Sequence, residues 1–334
     1  MNHSTRGYHQ VMTTEAAHNT ERFTPSQSPV PFVRDEYTGL IPDENVALFA
    51  LSEYHGLTPG KIRDLLIEHE LPSVALRSLT PPALFGDTHE QELKQAAYYV
   101  DNLLGYGIHV DTLFGDQYPP QLRGIHDYPP VIYWQGHHQQ GDHQSVAIIG
   151  TRTPSPTAQG VARDIATILA QNKIPIVSGL ARGIDTIAQQ TSLDHGNRTI
   201  GVIGTGLRKC YPPENADLQQ IIAHDHLLMS QFRASAPPTK TSFPMRNVVM
   251  SGFSALSIII EAGEHSGTRA QARAASNHGR YILITRTVHD TTTWGRALVA
   301  RGLASIITSA QDTLRQVQDA FTMYTDDSSA LITI

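Results

Sequence analysis

Between residues 145 and 307 the chain alternates two kinds of segment. Runs of four or five residues that are apolar at nearly every position (VAIIG, SIIIE, YILIT) alternate with longer stretches in which apolar residues return every third or fourth place. The first kind suits strands buried on both faces, as in a parallel sheet, and the second suits amphipathic helices. Strands are predicted at 145–149, 174–178, 199–203, 227–230, 256–260, 281–285 and 304–307. Helices are predicted at 157–171, 183–195, 214–224, 245–253, 268–278 and 295–302. Strand–helix–strand repetition of this length predicts an α/β fold with a doubly wound, mostly parallel sheet.

Upstream the period changes. Val46, Phe49, Ala50 and Tyr54 are spaced as one helix face, Ile62, Leu65 and Leu66 as a second, and Leu93, Ala96, Ala97, Val100 and Leu104 as a third. These segments predict a small all-α domain over 42–110, ahead of an α/β domain over 111–318. The segment ALSEYHGLTPGKIRDLL is similar to a helix-hairpin-helix unit, but its acidic neighbours Glu53, Asp64, Glu68 and Glu70 favour a structural αα-hairpin. Residues 1–41, polar with prolines at 25, 29 and 31, predict a disordered arm. The last residues, 319–334, are expected to form an acidic tail.

Charge alters this picture. The formal net charge is −6, which by itself disfavours a polyanionic partner. Residues 1–140, however, hold 8 basic against 17 acidic residues, whereas residues 141–318 hold 17 basic against 11 acidic. The α/β region is thus basic between acidic flanks. A single cysteine, Cys210, excludes an intrachain disulfide framework and suits a reducing compartment. No run of about 18 apolar residues offers a transmembrane helix, and the N-terminal residues lack the apolar core of a secretion signal. These features predict a cytoplasmic protein without a membrane partner.

Candidate chemistry collects where predicted strands end. Gly150-Thr151-Arg152 follows the first strand, and Ser178-Gly179-Leu180-Ala181-Arg182-Gly183-Ile184-Asp185 follows the second. Two such turns at neighbouring carboxyl ends of parallel strands form an anion-binding rim, with helix N-termini and open backbone N–H groups facing outward. Gly179 and Gly183 permit close approach of a ligand, Arg152 and Arg182 supply charge, and Asp185 caps the next helix or holds Arg152. Gly204-Thr205-Gly206 adds a third small-residue turn. Lys240 precedes Arg246 and Asn247, which the predicted helix at 245–253 places in its first turn. Glu261 stands at a strand end before Ser266-Gly267-Thr268. Its carboxylate suits a general base, a ribose ligand or an arginine partner, with no second acid to favour catalysis. No full Gly-x-Gly-x-x-Gly fingerprint with a ribose-binding acid is present, nor a Walker loop or nucleophile elbow. His137, His138 and His143 lie in a polar loop without ligand spacing, so neither metal nor cofactor is expected.

The ordered set YPPQLRGIHDYPPVIYWQG, VAIIGTR, IVSGLARGID, TIGVIGTGL, YPPEN, FPMRN, EAGEHSGT and WGRALVARGLA resembles the DprA/Smf family, DNA-processing proteins of natural transformation. The resemblance runs over about residues 42–310. It implies an extended Rossmann-like domain preceded by a small helical domain of SAM or helix-hairpin-helix type. It also implies a non-catalytic protein that binds single-stranded DNA, forms a homodimer and loads the RecA recombinase onto incoming strands. Carried over by motif, Gly150, Thr151 and Arg152 would cradle a phosphate. Ser178, Gly179, Arg182 and Gly183 would line the same pocket, with Lys240, Arg246 and Asn247 on its rim and Glu261, Ser266 and Gly267 beside it. Four positions depart from the family pattern. Gln189 replaces a histidine, Gln231 a glutamate, Val248 an arginine, and Thr285-Arg286 a Pro-Gly pair. Val248 removes an expected phosphate contact, and Arg286 is expected to restore charge nearby. The rival reading is a nucleotide sensor or nucleotide-cleaving enzyme of related fold, with Glu261 as its key residue.

Overall fold

Each apolar run of the central region becomes a strand of one nine-stranded sheet in the computed structural model, which describes residues 33–35, 39–41, 44–79 and 88–330. Strands β1 (Val33–Asp35) and β2 (Gly39–Ile41) form a separate antiparallel pair. Helices α1 (Glu44–Glu53), α2 (Pro59–His69), α3 (Pro72–Leu79) and α4 (Thr88–Leu104) follow. Then come β3 (His109–Thr112), α5 (Pro120–Arg123), β4 (Val131–Gly136), β5 (Val146–Ile149), α6 (Pro156–Gln171), β6 (Ile176–Ser178), α7 (Ile184–Asp194) and β7 (Thr199–Val202). The chain continues through α8 (Ala216–Asp225), β8 (Leu227–Ser230), α9 (Ser242–Phe253), β9 (Leu256–Ile259), α10 (Gly267–Asn277) and β10 (Tyr281–Thr285). It closes with α11 (Arg286–Thr291), α12 (Thr293–Ala300), β11 (Ser305–Ile307) and α13 (Ala310–Ala330). The remainder of the expected N-terminal arm lies outside the described residues.

The sheet order is β11-β10-β9-β5-β6-β7-β8-β4-β3. Strands β5 to β11 are parallel, and β4 and β3 add an antiparallel edge. From β5 the chain winds outward through β6, β7 and β8, then returns by α9 to β9 on the other side of β5. The loops after β5 and β9 therefore part in opposite directions. Such a switch point opens a crevice at the carboxyl ends of the strands.

Alternation along each strand divides the core. Ala147 and Ile149 face a layer holding Leu122, Val249, Met250, Phe253, Ala275 and Trp294, drawn from α5, α9, α10 and α12. Val146 and Ile148 face Ala162, Ile165, Leu169, Ala188 and Val317, from α6, α7 and α13. Helix α6 starts at Pro156, one residue ahead of the predicted 157. The Ser155 hydroxyl accepts from Ala158 N at 3.2 Å and Pro156 occupies the first helical position, where a missing N–H costs nothing.

The helices α1–α4 share their core with the sheet. Leu48, Phe49, Leu76 and Leu103 lie in one continuous buried cluster with Val131, Tyr133, Leu228 and Ile222. The boundary expected at 110/111 falls inside β3, and the described residues from α1 to α13 belong to one compact unit. Helix α13 runs through position 319, where an acidic tail was expected to begin. Apolar Val317 and Ala320 on its inner face bury against the sheet layer.

Candidate phosphate-binding site

The crevice at the β5/β9 switch point is a cavity of about 390 Å³. Its walls are Gly150, Thr151 and Arg152 after β5, Ala181 and Asp185 at the start of α7, Phe243, Arg246, Asn247 and Met250 on α9, and Ser266, Gly267, Thr268 and Gln271 on α10. A smaller cavity of about 50 Å³ adjoins it, lined by Gly179, Arg182, Gly204, Tyr211 and Pro212. Arg152, Ala181, Phe243 and Arg246 line both.

Arg246 forms the floor rather than the rim. It is 6% exposed, and its Nη1 donates to Val202 O at 3.0 Å while Nε donates to Asn247 Oδ1 at 3.0 Å. Among the described residues Nη2 has no acceptor. A Cβ on Gly179 would fall 1.4 Å from Nη1, so glycine there is what lets the guanidinium lie against the β6–α7 turn. Asp185 lies in the same buried layer and accepts from Gly179 N at 3.1 Å. Burial pushes the Asp185 carboxyl up and the Arg246 guanidinium down, and each is the chief charge opposing that push in the other. Asp185 thus ties down the turn and balances Arg246, the buried arginine, instead of holding Arg152 by direct contact.

The start of α9 explains why Arg246 and Asn247 differ from their expected first-turn placement. Thr239 and Ser242 exchange side-chain and backbone hydrogen bonds, Thr239 N to Ser242 Oγ at 3.1 Å and Ser242 N to Thr239 Oγ1 at 3.0 Å. The helix therefore begins at Ser242, and Pro244 sits in its first turn, where no N–H is required. Arg246 and Asn247 consequently belong to the second turn. Asn247 Nδ2 donates to Gly267 O at 3.3 Å and so links α9 to the start of α10. Lys240 is exposed and lines neither cavity.

Several of the backbone donors expected to face a ligand are bonded internally. Thr151 N donates to Glu261 O at 2.8 Å, and Leu180 N to Gln189 Oε1 at 3.2 Å. Gly183, at φ 77°, stands where a Cβ would lie 2.4 Å from Thr151 O. Its role is to press the two turns together. Ser178 is fully buried with its hydroxyl donating to Ile148 O at 2.6 Å, and it lines neither cavity. Glu261 also lies outside both cavities. Its Oε2 accepts from Ser155 N at 2.8 Å, pinning the β5–α6 loop.

The open donors come instead from α10. The amides of Gly267 and Thr268, its first two residues, have no acceptor among the described residues, as helix N-termini leave them. Ser266 Oγ, just before them, is buried without a partner among the described residues. Gln271, one turn on and 1% exposed, carries an unpaired buried Oε1 while its Nε2 reaches Ser257 Oγ at 3.4 Å. Exchanging that amide's O and N would keep the contact with Ser257, whose hydroxyl would then donate, and turn the unpaired atom into a donor. The sequence reading missed Gln271 and Phe243. The signal for Gln271 was its place one turn after Thr268 on the same helix face.

Above the floor, Arg152 is exposed, with its guanidinium 5.4 Å from the centroid of the Phe243 ring. No carboxylate forms an ion pair with it among the described residues. Arg182 is brought only to the smaller cavity and pairs with Glu214 of the YPPEN segment. Tyr211 is 41% exposed, with its ring 5.5 Å from that of Phe243. Two guanidinium groups, a helix N-terminus and an unpaired hydroxyl converge on one cavity, and flat aromatic faces border it. Such a site can hold a phosphate and stack a ring beside it.

The departures from the family pattern fall into place locally. Gln189 bridges the β6–α7 turn to β7, with Nε2 donating to Ile200 O at 3.2 Å. Gln231 Nε2 donates to Met245 O at 2.6 Å, so it steadies α9. Val248 packs against the core. Arg286 does not restore charge at the cavity. It lines a different groove between α6 and the start of α13, because β10 lies one strand farther from the switch point.

Residues 109–318 match the DNA recombination-mediator protein A family. The DNA processing protein DprA of Bacillus subtilis is 30% identical over 263 residues, which cover 75% of this chain and 89% of that protein. Its counterpart in Streptococcus pneumoniae is 34% identical over 209 residues, 62% of this chain and 73% of that one. Among solved structures, Streptococcus pneumoniae DprA aligns with a TM-score of 0.58 at 27% identity, covering 82% of this chain and 93% of that chain. Helicobacter pylori DprA, whose structure was described for its single-stranded DNA binding mode, aligns with a TM-score of 0.56 at 28% identity, over 64% and 96% of the two chains. With the match spanning the whole sheet and every wall of the cavity, the chain belongs to the DNA recombination-mediator protein A family.

Proposed function

We propose that this chain is a non-catalytic mediator that binds single-stranded DNA during DNA uptake, protects the incoming strand and passes it to the RecA recombinase as a homodimer. The observation that carries the reading is the convergence of Arg152, Arg246 and the open amides of Gly267 and Thr268 on one cavity at the switch point. A backbone phosphate fits between these donors, and a neighbouring base can stack on Phe243 or Tyr211. Charge plus stacking is how proteins bind single strands without reading sequence. The likeness to Helicobacter pylori DprA supports the same ligand. The rival nucleotide-cleaving enzyme is not favoured, because Glu261 lines neither cavity and its carboxylate is turned to Ser155 N.

Fluorescence anisotropy with labelled single-stranded and duplex DNA across a salt series tests this function. Single strands are expected to bind more tightly, with affinity falling as salt rises. In Arg152→Ala the log–log salt slope should drop by about 0.7 for one lost phosphate contact on a single strand. Failure to bind single strands at low salt, or an unaltered slope in Arg152→Ala, would overturn the placement of the phosphate.

A further inference from the structure

Helix α10 carries a second polar cluster at its far end, about 16 Å from the cavity by helix rise. His278 follows the helix, and His126 and Asp127 lie in the connector between α5 and β4. Asp127 Oδ1 is 2.7 Å from His278 Nε2, and Oδ2 is 3.8 Å from His126 Nε2. One donor atom from each of the three lies within 4.8 Å of the others, the only such group among the described residues. The His278 side chain is wholly enclosed, Asp127 is half-buried and His126 faces solvent. On its inner side His278 Nδ1 meets Ser251 Oγ at 2.9 Å.

Two imidazoles and a carboxylate make up a donor set of the kind zinc takes. Tetrahedral bonds of about 2.0–2.2 Å place neighbouring ligand atoms about 3.3 Å apart. The 2.7 and 3.8 Å separations reach different oxygens of Asp127, and the three donor atoms lie within 4.8 Å of one another, so the side chains would draw together by up to about 1.5 Å to hold an ion. The inner contact fits as well. In the tautomer that binds an ion through Nε2, the neutral His278 ring carries its proton on Nδ1, which donates to Ser251 Oγ. An outer hydrogen bond of this kind orients a metal-ligating histidine. Exposed His126 provides a path inward and leaves the fourth position to water.

We propose that His126 Nε2, the Asp127 carboxylate and His278 Nε2 form a binding site for a divalent transition metal of the zinc class. The ion would join two segments 151 residues apart in sequence, the α5–β4 connector and the α10–β10 turn. That separation is why spacing along the chain did not reveal the ligand set.

The test uses the full chain stripped with a chelator and titrated with Zn2+ by calorimetry and with Co2+ by visible absorption. Wild type is expected to take up one equivalent at this site, give the intense visible band of tetrahedral Co2+, lose that band to Zn2+, and melt at a higher temperature with Zn2+ present. His126→Ala removes an exposed ligand without opening the core, and Asp127→Asn keeps its volume. Each should weaken Zn2+ binding at least tenfold and abolish the Co2+ band, with circular dichroism unchanged. Because the chain has 17 histidines, uptake elsewhere is the competing explanation. Wild-type affinity and an unchanged Co2+ spectrum in either variant, or no saturable uptake by wild type, would overturn the proposal.

Discussion

Replacing Gly179 by alanine probes the floor of the cavity without touching a charged residue. The added Cβ would stand 1.4 Å from Arg246 Nη1 and 2.3 Å from Cζ, so the guanidinium must leave its seat. It would give up its bonds to Val202 O and Asn247 Oδ1, both 3.0 Å, and leave Asp185 buried beside a weakened counter-charge. Hydrogen bonds to charged groups contribute about 1.5–3 kcal/mol each. Overpacking a tight site costs about 1–3 kcal/mol. Movement of Arg246 into the open cavity returns part of this through hydration, so the expected net loss is about 2–4 kcal/mol. A shift in the denaturant midpoint, with the slope of the transition unchanged, measures it. The same displacement should weaken single-strand binding by about tenfold or more, the value of one charge-assisted contact. Gly263→Ala is the control, since its Cβ would meet nothing within 4 Å. Wild-type stability together with wild-type DNA affinity in Gly179→Ala would refute the placement of Arg246 as the floor.

Gly267→Ala puts its Cβ into open space at the start of α10, so stability should hold or rise by about 0.4–1 kcal/mol. DNA affinity should fall if a phosphate abuts that helix end, and anisotropy on a variant with an unchanged melting curve reads the two effects apart. For Glu261, alanine removes the acceptor for Ser155 N and should cost about 1 kcal/mol in chemical denaturation, whereas glutamine keeps an acceptor and should be nearly neutral. Equal losses in the two would show that the carboxylate charge, not the hydrogen bond, matters. At the start of α13, Asp312 is held at a pKa of about 2, below its ordinary 3.8, by Arg315, Thr308 and Gln316, which outweigh its partial burial. Because the folded value is the lower one, its contribution is full above the unfolded pKa and is lost as pH falls through about 2. Asp312→Asn should therefore lower stability at neutral pH, by about 1 kcal/mol after solvent screening, flatten the acid limb between about pH 4 and 2, and leave stability below about pH 2 little changed.

Local chemistry made much of this protein legible from its residues alone. Apolar runs such as VAIIG and YILIT determined the buried parallel strands, because only a strand covered on both faces tolerates so little polarity. Ser155-Pro156 determined where α6 begins, because capping and a missing N–H act within a few residues. The sequence also brought Arg152, Arg246 and Gly267 forward as partners for an anion. Tertiary structure decided what each of them does. Strand order, which depends on contacts distant in sequence, opened the cavity between β5 and β9 and left Arg286 outside it. Packing turned Gly179 and Gly183 from ligand-facing glycines into spacers, since their neighbours are Arg246 and Thr151 rather than solvent. Hydrogen-bond partners more than a hundred residues away, Ser155 with Glu261 and Asp127 with His278, arise only when the sheet brings their loops together. Pattern along a chain reports which face of an element is buried; which elements meet is set by the free energy of the whole core, and that is not local.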